Sequence, residues 1–251
     1  MTSFLVFTFA DALKSALTSK TMKEIITILL AVITVGSICG SILLWTGRKE
    51  TDNHARTILM LINWCAAFMS FVYIFRTWNG NLPVDGNILA PEQVFFPIAL
   101  LMLLILYPLE LIQPVSNRAE LYIKLYLPLA LVFFIGICGG IVYTPLSSYE
   151  ELCCHLNEAN VWFRIFTMLI FPFYGFFLCR VRYNWKETCT TRNFIRMYAA
   201  FLCIIGLLKI AVLFTLSRTL FLANLLVWII FLSGITYYEL REHLYEQKRI
   251  K

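Results

Sequence analysis

The sequence predicts an all-α integral membrane protein, a bundle of seven transmembrane helices. Of the 251 residues 60 % are hydrophobic and only 14 % charged, and the mean hydropathy is +0.75. A soluble domain carries roughly 25 % charged residues. The apolar residues form continuous runs of about twenty, the length that a transmembrane helix needs, whereas barrel strands alternate over about ten positions. Continuous runs favour helices, which satisfy their own backbone hydrogen bonds in lipid.

Seven apolar segments are long enough to cross a bilayer. The predicted spans are 25–46, 57–75, 94–113, 121–143, 161–179, 194–216 and 219–238, and together they assign residues 23–239 to a transmembrane domain. Only a short connection, 216–219, separates the last two spans. If those spans formed one interrupted helix, both the number of crossings and the topology would change.

Two flanking segments complete the domain assignment. Residues 1–22 are predicted to form an external amphipathic helix on the membrane surface, because Leu5, Phe9 and Leu13 recur at helical spacing; a frayed tail is the alternative. Residues 240–251 are charged and favour helix, so we expect a cytoplasmic continuation of the seventh span. The alternative for this tail is a basic membrane anchor.

Positive charge is concentrated on one side of the predicted membrane. Five Lys and Arg residues fall on the side of the N-terminus and fourteen on the opposite side, the C-terminal tail included. The positive-inside rule then places the N-terminus outside and the C-terminus in the cytoplasm, and we expect the bacterial cytoplasmic membrane. The 76–93 and 144–160 connections become external. They are suited to cover an outward-facing pocket, with simple connectors as the alternative.

A polar ligand site is predicted in the outer half of the bundle. Lys209 lies well inside the sixth span, where a charge is costly unless it reaches the headgroups, finds a partner or lines a wet cavity. Asn224 and Arg164 are expected at similar or slightly shallower depth. The three residues therefore indicate a site for a small or anionic ligand. The alternative is that Lys209 extends outward to the lipid headgroups.

A second polar group is predicted at the inner boundary of the membrane. Its members come from four different spans: Asn63, Glu110, Lys124 and Arg196. Such a group either locks the helix ends together or acts as a switch whose pairing changes when helices move. Both interpretations fit the sequence.

The cysteines and histidines do not form a recognisable metal site. Eight cysteines are present without a C-x-x-C pair, and the three histidines lie on different segments. The one local cluster is Cys153-Cys154-His155 in an external connection, where a thiol could be oxidised or bind a soft metal. We expect no metal and no cofactor.

Several functional classes lack their characteristic residues. The seventh span contains no lysine for a retinal Schiff base, and the signatures of eukaryotic seven-helix receptors are missing. Neither an H-E-x-x-H motif nor paired intramembrane aspartates are present, which disfavours an intramembrane protease. We therefore expect a protein that is not an enzyme.

One segment resembles a known family. The run Leu106-Tyr-Pro-Leu-Glu-Leu-Ile-Gln-Pro114, at the cytoplasmic end of the third span, is similar to a signature of N-terminal membrane modules in Bacteroidetes regulators. In that family a seven-helix-like module precedes an arabinose-regulator (AraC) type helix-turn-helix domain. The resemblance implies a membrane sensor that passes a signal to a DNA-binding output. No output domain follows the seventh span within these 251 residues.

The sequence-based hypothesis is a membrane-embedded sensor. A ligand near Lys209 would favour one packing of the last three spans, and the tail would carry the change to a cytoplasmic output domain or partner; a homodimer is a further expected partner arrangement. A small-solute transporter or channel is the first alternative, although the two polar groups are separated by an apolar middle. A lipid-modifying enzyme using Glu110 or His155 as base is the second, but neither residue has an evident catalytic partner.

Overall fold

The computed structural model describes residues 2–46, 54–79, 84, 86–111, 118–180 and 189–249. Side chains are described within 20–46, 54–79, 84, 86–111, 123–178, 180 and 193–241. This part of the chain is built from helices and contains no strand. The helices are α1 (Thr2–Thr46), α2 (His54–Trp78), α3 (Pro91–Leu111), α4 (Arg118–Cys138), α5 (Tyr149–Cys154), α6 (Ala159–Arg180), α7 (Cys189–Thr215) and α8 (Arg218–Arg249).

Six of the helices are long and apolar enough to cross a membrane. They cover Lys20–Thr46, His54–Trp78, Pro91–Leu111, Ala159–Leu178, Asn193–Thr215 and Arg218–Arg241, so six of the predicted spans are confirmed as helices. Large apolar side chains such as Phe68, Phe173 and Leu207 are more than half exposed on the outside of the bundle. Such a surface suits lipid and not water. The chain is thus an integral membrane protein by helix length and composition.

The predicted fourth span corresponds to the shorter apolar helix α4. Its 21 residues rise about 31 Å, close to the roughly 30 Å of a bilayer's hydrocarbon core. Within α4, Ile123–Cys138 is apolar. A seventh crossing therefore stays a prediction that depends on α4.

The ends of the chain differ from the predicted segmentation in one respect. Helix α1 is continuous from Thr2 to Thr46, with no break between the predicted surface helix (1–22) and the first span. The 240–251 tail continues α8 as helix as far as Arg249, while its side chains beyond Arg241 lie outside the described residues. The backbone of residues 2–22 and 240–249 is thus helical, and the placement of the two segments outside the membrane stays a prediction.

The last two spans are two separate helices. Leu216 has a φ of 50°, a left-handed conformation that ends α7, and α8 begins at Arg218. The ring of Phe194 near the start of α7 stacks on that of Tyr238 in α8, with centroids 3.7 Å apart. The two helices therefore fold back on each other as an antiparallel pair, which confirms the two-helix interpretation of the 216–219 connection.

Six helices form a closed ring, and α4 packs outside it. Neighbours around the ring are α1, α2, α3, α6, α7 and α8, and α8 returns to α1. Two tyrosine hydroxyl groups attach α4: Tyr126 donates to the Met102 carbonyl of α3 at 2.7 Å, and Tyr174 of α6 donates to the Leu125 carbonyl at 2.8 Å. The core of the protein accordingly lies at the centre of the six-helix ring.

The two ends of the bundle are distinguished by their connections. We call the end with the α2–α3, α4–α6 and α7–α8 connections the loop end, and the opposite one the tail end. At the loop end Arg76 pairs with Glu92 at 3.2 Å. At the tail end Asn63 of α2 donates to Thr236 of α8 at 3.3 Å. Helix α8 therefore runs the full height of the bundle, from the loop end to the tail end.

Helices α6 and α7 approach closely because glycines lie between them. A Cβ atom added to Gly206 would lie 2.7 Å from both the nitrogen and the Cδ atom of Pro172, and one added to Gly175 would lie 2.7 Å from Cys203 Sγ. Real Cβ contacts of this length essentially do not occur. The glycines thus set the spacing that brings Phe171 of α6 against Lys209 of α7.

Candidate ligand site and its cap

A cavity of about 100 Å³ lies inside the ring, in the half nearer the loop end. We call it the central cavity. All six ring helices contribute to its wall, which is mainly apolar and aromatic. Polar groups in the wall come from Ser70, Gln93, Lys209 and Asn224, together with the Tyr73 hydroxyl and the Trp228 indole N–H. Two of the three residues predicted as ligand-binding, Lys209 and Asn224, are therefore brought together here.

Lys209 points into the bundle. Its Nζ atom lies 4.6 Å from the centroid of the Phe171 ring. Phe171 is about 18 Å along α6 from its first residue, Ala159, whereas Lys209 is about 9 Å from the end of α7. The side chain thus reaches away from the membrane surface. Among the described residues no carboxylate or other hydrogen-bond acceptor pairs with this ammonium group.

Asn224 is a buried polar group that lacks one of its hydrogen bonds. The residue is 7 % exposed, and its Oδ1 atom has no hydrogen-bond partner in the described part of the protein. Leaving a buried acceptor unpaired costs about 1–3 kcal/mol. Buried polar atoms in native proteins are nearly always paired, so an exception requires an explanation. A cation and an unpaired amide oxygen lining one cavity together indicate a site that a polar ligand completes.

Arg164 lies outside the central cavity and has a different environment. It is fully buried, and its guanidinium donates to the Leu89 carbonyl at 3.3 Å, the Thr144 carbonyl at 3.1 Å and Asn160 Oδ1 at 3.0 Å. The same group lies 5.7 Å from the centroid of the Tyr143 ring. Arg164 therefore joins helix α6 to two loop-end connections, and the structure does not bring it together with Lys209.

The connections that Arg164 joins form a packed layer, which we call the cap and define as residues 86–90 and 139–158. Its two segments are linked directly, because the Ile88 amide donates to the Leu146 carbonyl at 2.6 Å. The Leu89 amide donates to the carbonyl of Leu213, a cavity-lining residue of α7, at 3.3 Å. Both Leu89 and Leu146 are completely buried. The cap is therefore attached to α7 beside the cavity, at the loop end of the bundle.

Leu89 also carries backbone strain. Its φ is 52°, in the left-handed region that a residue with a Cβ adopts only at a cost of order 1–3 kcal/mol. Its carbonyl accepts from Arg164 and its amide donates to α7, so both backbone groups are held from outside the segment. The strained turn is thus stabilised by the contacts that attach the cap to the bundle.

A carboxylate network closes the other side of the cap. Glu158 accepts hydrogen bonds from Thr144 and, at 2.8 Å, from Asn160, and it pairs with His155 Nδ1 at 2.6 Å. These bonds, that from Thr144 above all, lower the pKa of Glu158 from 4.5 to about 2. In the same segment, hydrogen bonds from Ser147 lower the pKa of Glu151. Glu151 and Glu158 therefore organise the cap as anions.

Of the four residues predicted as an inner-face switch, Asn63 and Lys124 lie apart, and the switch or locking role stays a prediction. Asn63 is buried against Thr236 of α8, whereas Lys124 is exposed beside a groove between α4 and α6. Those two residues lie on different sides of the bundle. Glu110 is half-buried near the end of α3, and Arg196 is exposed on α7.

A different tail-end network links α8 to its neighbours. The hydroxyl of Tyr107 on α3 donates to Glu239 Oε2 on α8 at 3.0 Å, and both side chains are buried. Tyr198 of α7 donates to the Leu104 carbonyl at 2.7 Å, and its ring packs against those of Tyr107 and Phe231. Sequence reasoning missed Glu239. The signal that could have found it is a carboxylate at the inner end of an apolar helix, facing the tyrosine of the Tyr-Pro-Leu-Glu run.

The described residues hold no group of three or more metal-binding side chains. Cys153 and Cys154 are exposed free thiols, and His155 belongs to the Glu158 network. Oxidation of either thiol stays a prediction.

Comparison with known proteins assigns no family. No family model, no curated protein and no solved structure matches this chain.

Proposed function

We propose that this chain is a membrane-embedded sensor whose ligand occupies the central cavity and whose helix α8 carries the response to the other side of the membrane. The observation that carries the proposal is the cavity itself. It contains a half-buried cation and an unpaired amide oxygen, and every helix of the ring contributes to its wall. A ligand there acts on all six packing interfaces at once.

Helix α8 is the element suited to relay the change. Its loop-end half lines the cavity with Phe221, Asn224 and Trp228, and its tail-end half bears Thr236 and Glu239. Asn224 and Glu239 are about 22 Å apart along one continuous helix. A ligand shifts the balance between two packings only through its different affinity for them. Its contact with Asn224 provides that difference on the helix that leaves the bundle.

The remaining parts of the proposal follow from the charge distribution. The loop end is external and the tail end cytoplasmic, which puts Lys20 outside and the α8 tail in the cytoplasm. The tail then reaches a cytoplasmic output domain or partner, of the DNA-binding kind that the family resemblance implies, in a bacterial cytoplasmic membrane. A homodimer would place two tails together.

The test fills the cavity covalently, so that the natural ligand need not be known. Ser70 lines the cavity from α2 and is buried. In a background without the native cysteines, Ser70→Cys is modified with an anionic ethylsulfonate group, and hydrogen exchange of residues 230–241 is measured in lipid nanodiscs. We expect exchange at the tail end of α8 to change by about tenfold, equivalent to a shift of roughly 1.4 kcal/mol.

The control places the same adduct on Ala200→Cys, a lipid-facing position of α7. It should leave α8 unchanged. Complete modification at position 70 with no change in α8 exchange would refute the relay.

A transporter is the second candidate, favoured by one observation. A further cavity of about 300 Å³ lies between α1 and α8 towards the tail end, with Ser37, Asn63 and Thr236 in its wall. Ile33 and Leu232 line both this cavity and the central one. Two apolar side chains thus stand between the two spaces. Solute flux through proteoliposomes that contain the wild-type protein would favour this candidate; the sensor predicts no flux.

A further inference from the structure

We propose that the occupant of the central cavity is a single-chain lipid with a carboxylate head, a fatty acid, which enters sideways from the outer leaflet between α2 and α3. This inference rests on the proposed function, because it names the ligand class of the same site. Three features of the molecule carry it: the size of the cavity, an adjoining groove and the closed cap.

The central cavity accommodates a head group and little more. Its volume of about 100 Å³ compares with the 300–1,000 Å³ typical of sites that enclose a whole small ligand. A carboxylate matches the single ammonium group of Lys209, which has no anionic partner among the described residues. Placed in this water-poor interior, the pair would be stronger than at a surface. Asn224 Oδ1 is an acceptor like the carboxylate, so Asn224 binds this head only with its amide turned to present Nδ2.

A large apolar groove adjoins the cavity on the lipid side. It lies between α2 and α3, has a volume of about 750 Å³, and is lined mainly by apolar residues such as Trp64, Phe68 and Phe96. Met69, Tyr73 and Leu100 line both the groove and the central cavity. These three side chains therefore form a shared wall, the portal, through which a chain can connect the two spaces.

The dimensions of the groove fit one acyl chain of one leaflet. Along α2 it extends from Trp64 to Arg76, about 18 Å, and one leaflet of hydrocarbon is about 15 Å deep. Tyr73 and Met69 of the portal lie about 8 and 14 Å from the loop-end terminus of α2. Lys209 lies about 9 Å from the loop-end terminus of α7, so it is at the depth of the portal. A carboxylate head at Lys209 therefore places the acyl chain in the groove, parallel to the neighbouring lipids.

The cap makes the sideways route the open one. A water-soluble ligand would arrive from the loop end, where Arg164 and the Ile88–Leu146 bond hold the two cap segments together beside the cavity. The α2–α3 face, by contrast, presents exposed apolar side chains directly to lipid, Phe68 at 69 % and Phe96 at 54 %. A ligand dissolved in the outer leaflet reaches the portal without opening the cap.

The test is photolabelling of the full chain in phosphatidylcholine nanodiscs with palmitic acid that carries a diazirine in mid-chain. We expect adducts on the α2 and α3 peptides that contain Phe68 and Phe96. Unlabelled palmitate should compete and its methyl ester should not, because the ester lacks the charge. Adducts spread evenly over the lipid-facing helices, or equal competition by the ester, would overturn the inference.

Two variants test the carboxylate site and the acyl-chain groove separately. Lys209→Met removes the charge at similar volume and should lower specific labelling about tenfold or more, the loss expected of a charged hydrogen bond. Ala99→Trp fills the groove without touching the central cavity and should have the same effect. The matched controls are Lys20→Met, an exposed cation at the loop end, and Ala200→Trp, a lipid-facing alanine of α7; both should label as wild type.

The outcomes distinguish this inference from the sensor proposal. A further measurement is chemical acylation of Lys209 in the presence of acetate, read by mass spectrometry. If acetate protects Lys209 but photoreactive palmitate labels no groove residue, the ligand is a water-soluble carboxylate and the lipid inference is wrong. The Ser70→Cys exchange experiment still decides the sensor in that case. If groove labelling depends on Lys209 and Ala99 as stated, the lipid site stands even when the exchange of α8 does not change.

Discussion

The attachment of the cap by Arg164 gives the most quantitative prediction. Arg164→Met keeps the apolar stem and removes three hydrogen bonds, to the Leu89 and Thr144 carbonyls and to Asn160. Bonds to a charged group each contribute a net stabilisation of about 1.5–3 kcal/mol. Three bonds made by one cation are not additive, so the destabilisation of the cap lies between about 2 kcal/mol, the loss of one bond, and roughly 9 kcal/mol, the sum of three.

The assay for this prediction is hydrogen exchange in nanodiscs. At 1.36 kcal/mol per factor of ten, the lower bound corresponds to about thirtyfold faster exchange of the Ile88 and Leu89 amides. Arg164→Lys should fall between wild type and Arg164→Met, since an ammonium group cannot reach the three acceptors as a planar guanidinium does. Arg180→Met, at the exposed opposite end of α6, is the control. Unchanged exchange of the cap in Arg164→Met would refute its role.

Three further predictions concern the helix spacing, the tail-end network and pH. Gly206→Ala should lower the midpoint of thermal unfolding in detergent, because overpacking costs about 1–3 kcal/mol. In Gly36→Ala the added Cβ has no neighbouring atom within 4 Å, so the midpoint should stay the same or rise slightly. Tyr107→Phe removes a donor to Glu239 and should speed exchange at the tail end of α8 about fivefold or more, measured in nanodiscs; equal exchange would contradict the link. Because the folded pKa of Glu158 is depressed from 4.5 to about 2, its stabilisation of the cap is present above pH 4.5 and lost as the pH falls towards 2. Cap exchange, corrected for the intrinsic rate, should rise over that window in wild type and be independent of it in Glu158→Gln.

The spans and part of the site could be predicted from the sequence for a shared physical reason. A continuous apolar run in lipid has few alternatives to helix, so the spans follow from composition. A charge or amide within such a run is costly, which singles out Lys209 and Asn224 before any contact is known. Their meeting in one cavity follows from their similar depth on neighbouring helices that run in opposite directions.

The remaining features depend on tertiary pairing that no local pattern reveals. Arg164, like Lys209, is a charged residue within an apolar run, and the sequence therefore predicted the same role for both. Its acceptors are in fact mainly backbone carbonyls of two connections, Leu89 among them. Tyr107 and Glu239 meet across 132 positions of sequence. The order of helices in the ring is likewise hidden, because transmembrane helices are apolar on nearly every face and carry little directional pattern.

The central claim, that a signal crosses the membrane along this bundle, requires the two ends of the chain to face different compartments. That depends on α4, because the six long helices alone would return the chain to its starting side. The most direct measurement is labelling of single cysteines at residues 2 and 251, in a background without native cysteines, with a membrane-impermeant maleimide on intact cells. The account predicts labelling at residue 2 on intact cells and at residue 251 only after lysis. Equal labelling of both positions on intact cells, or of neither, would contradict it.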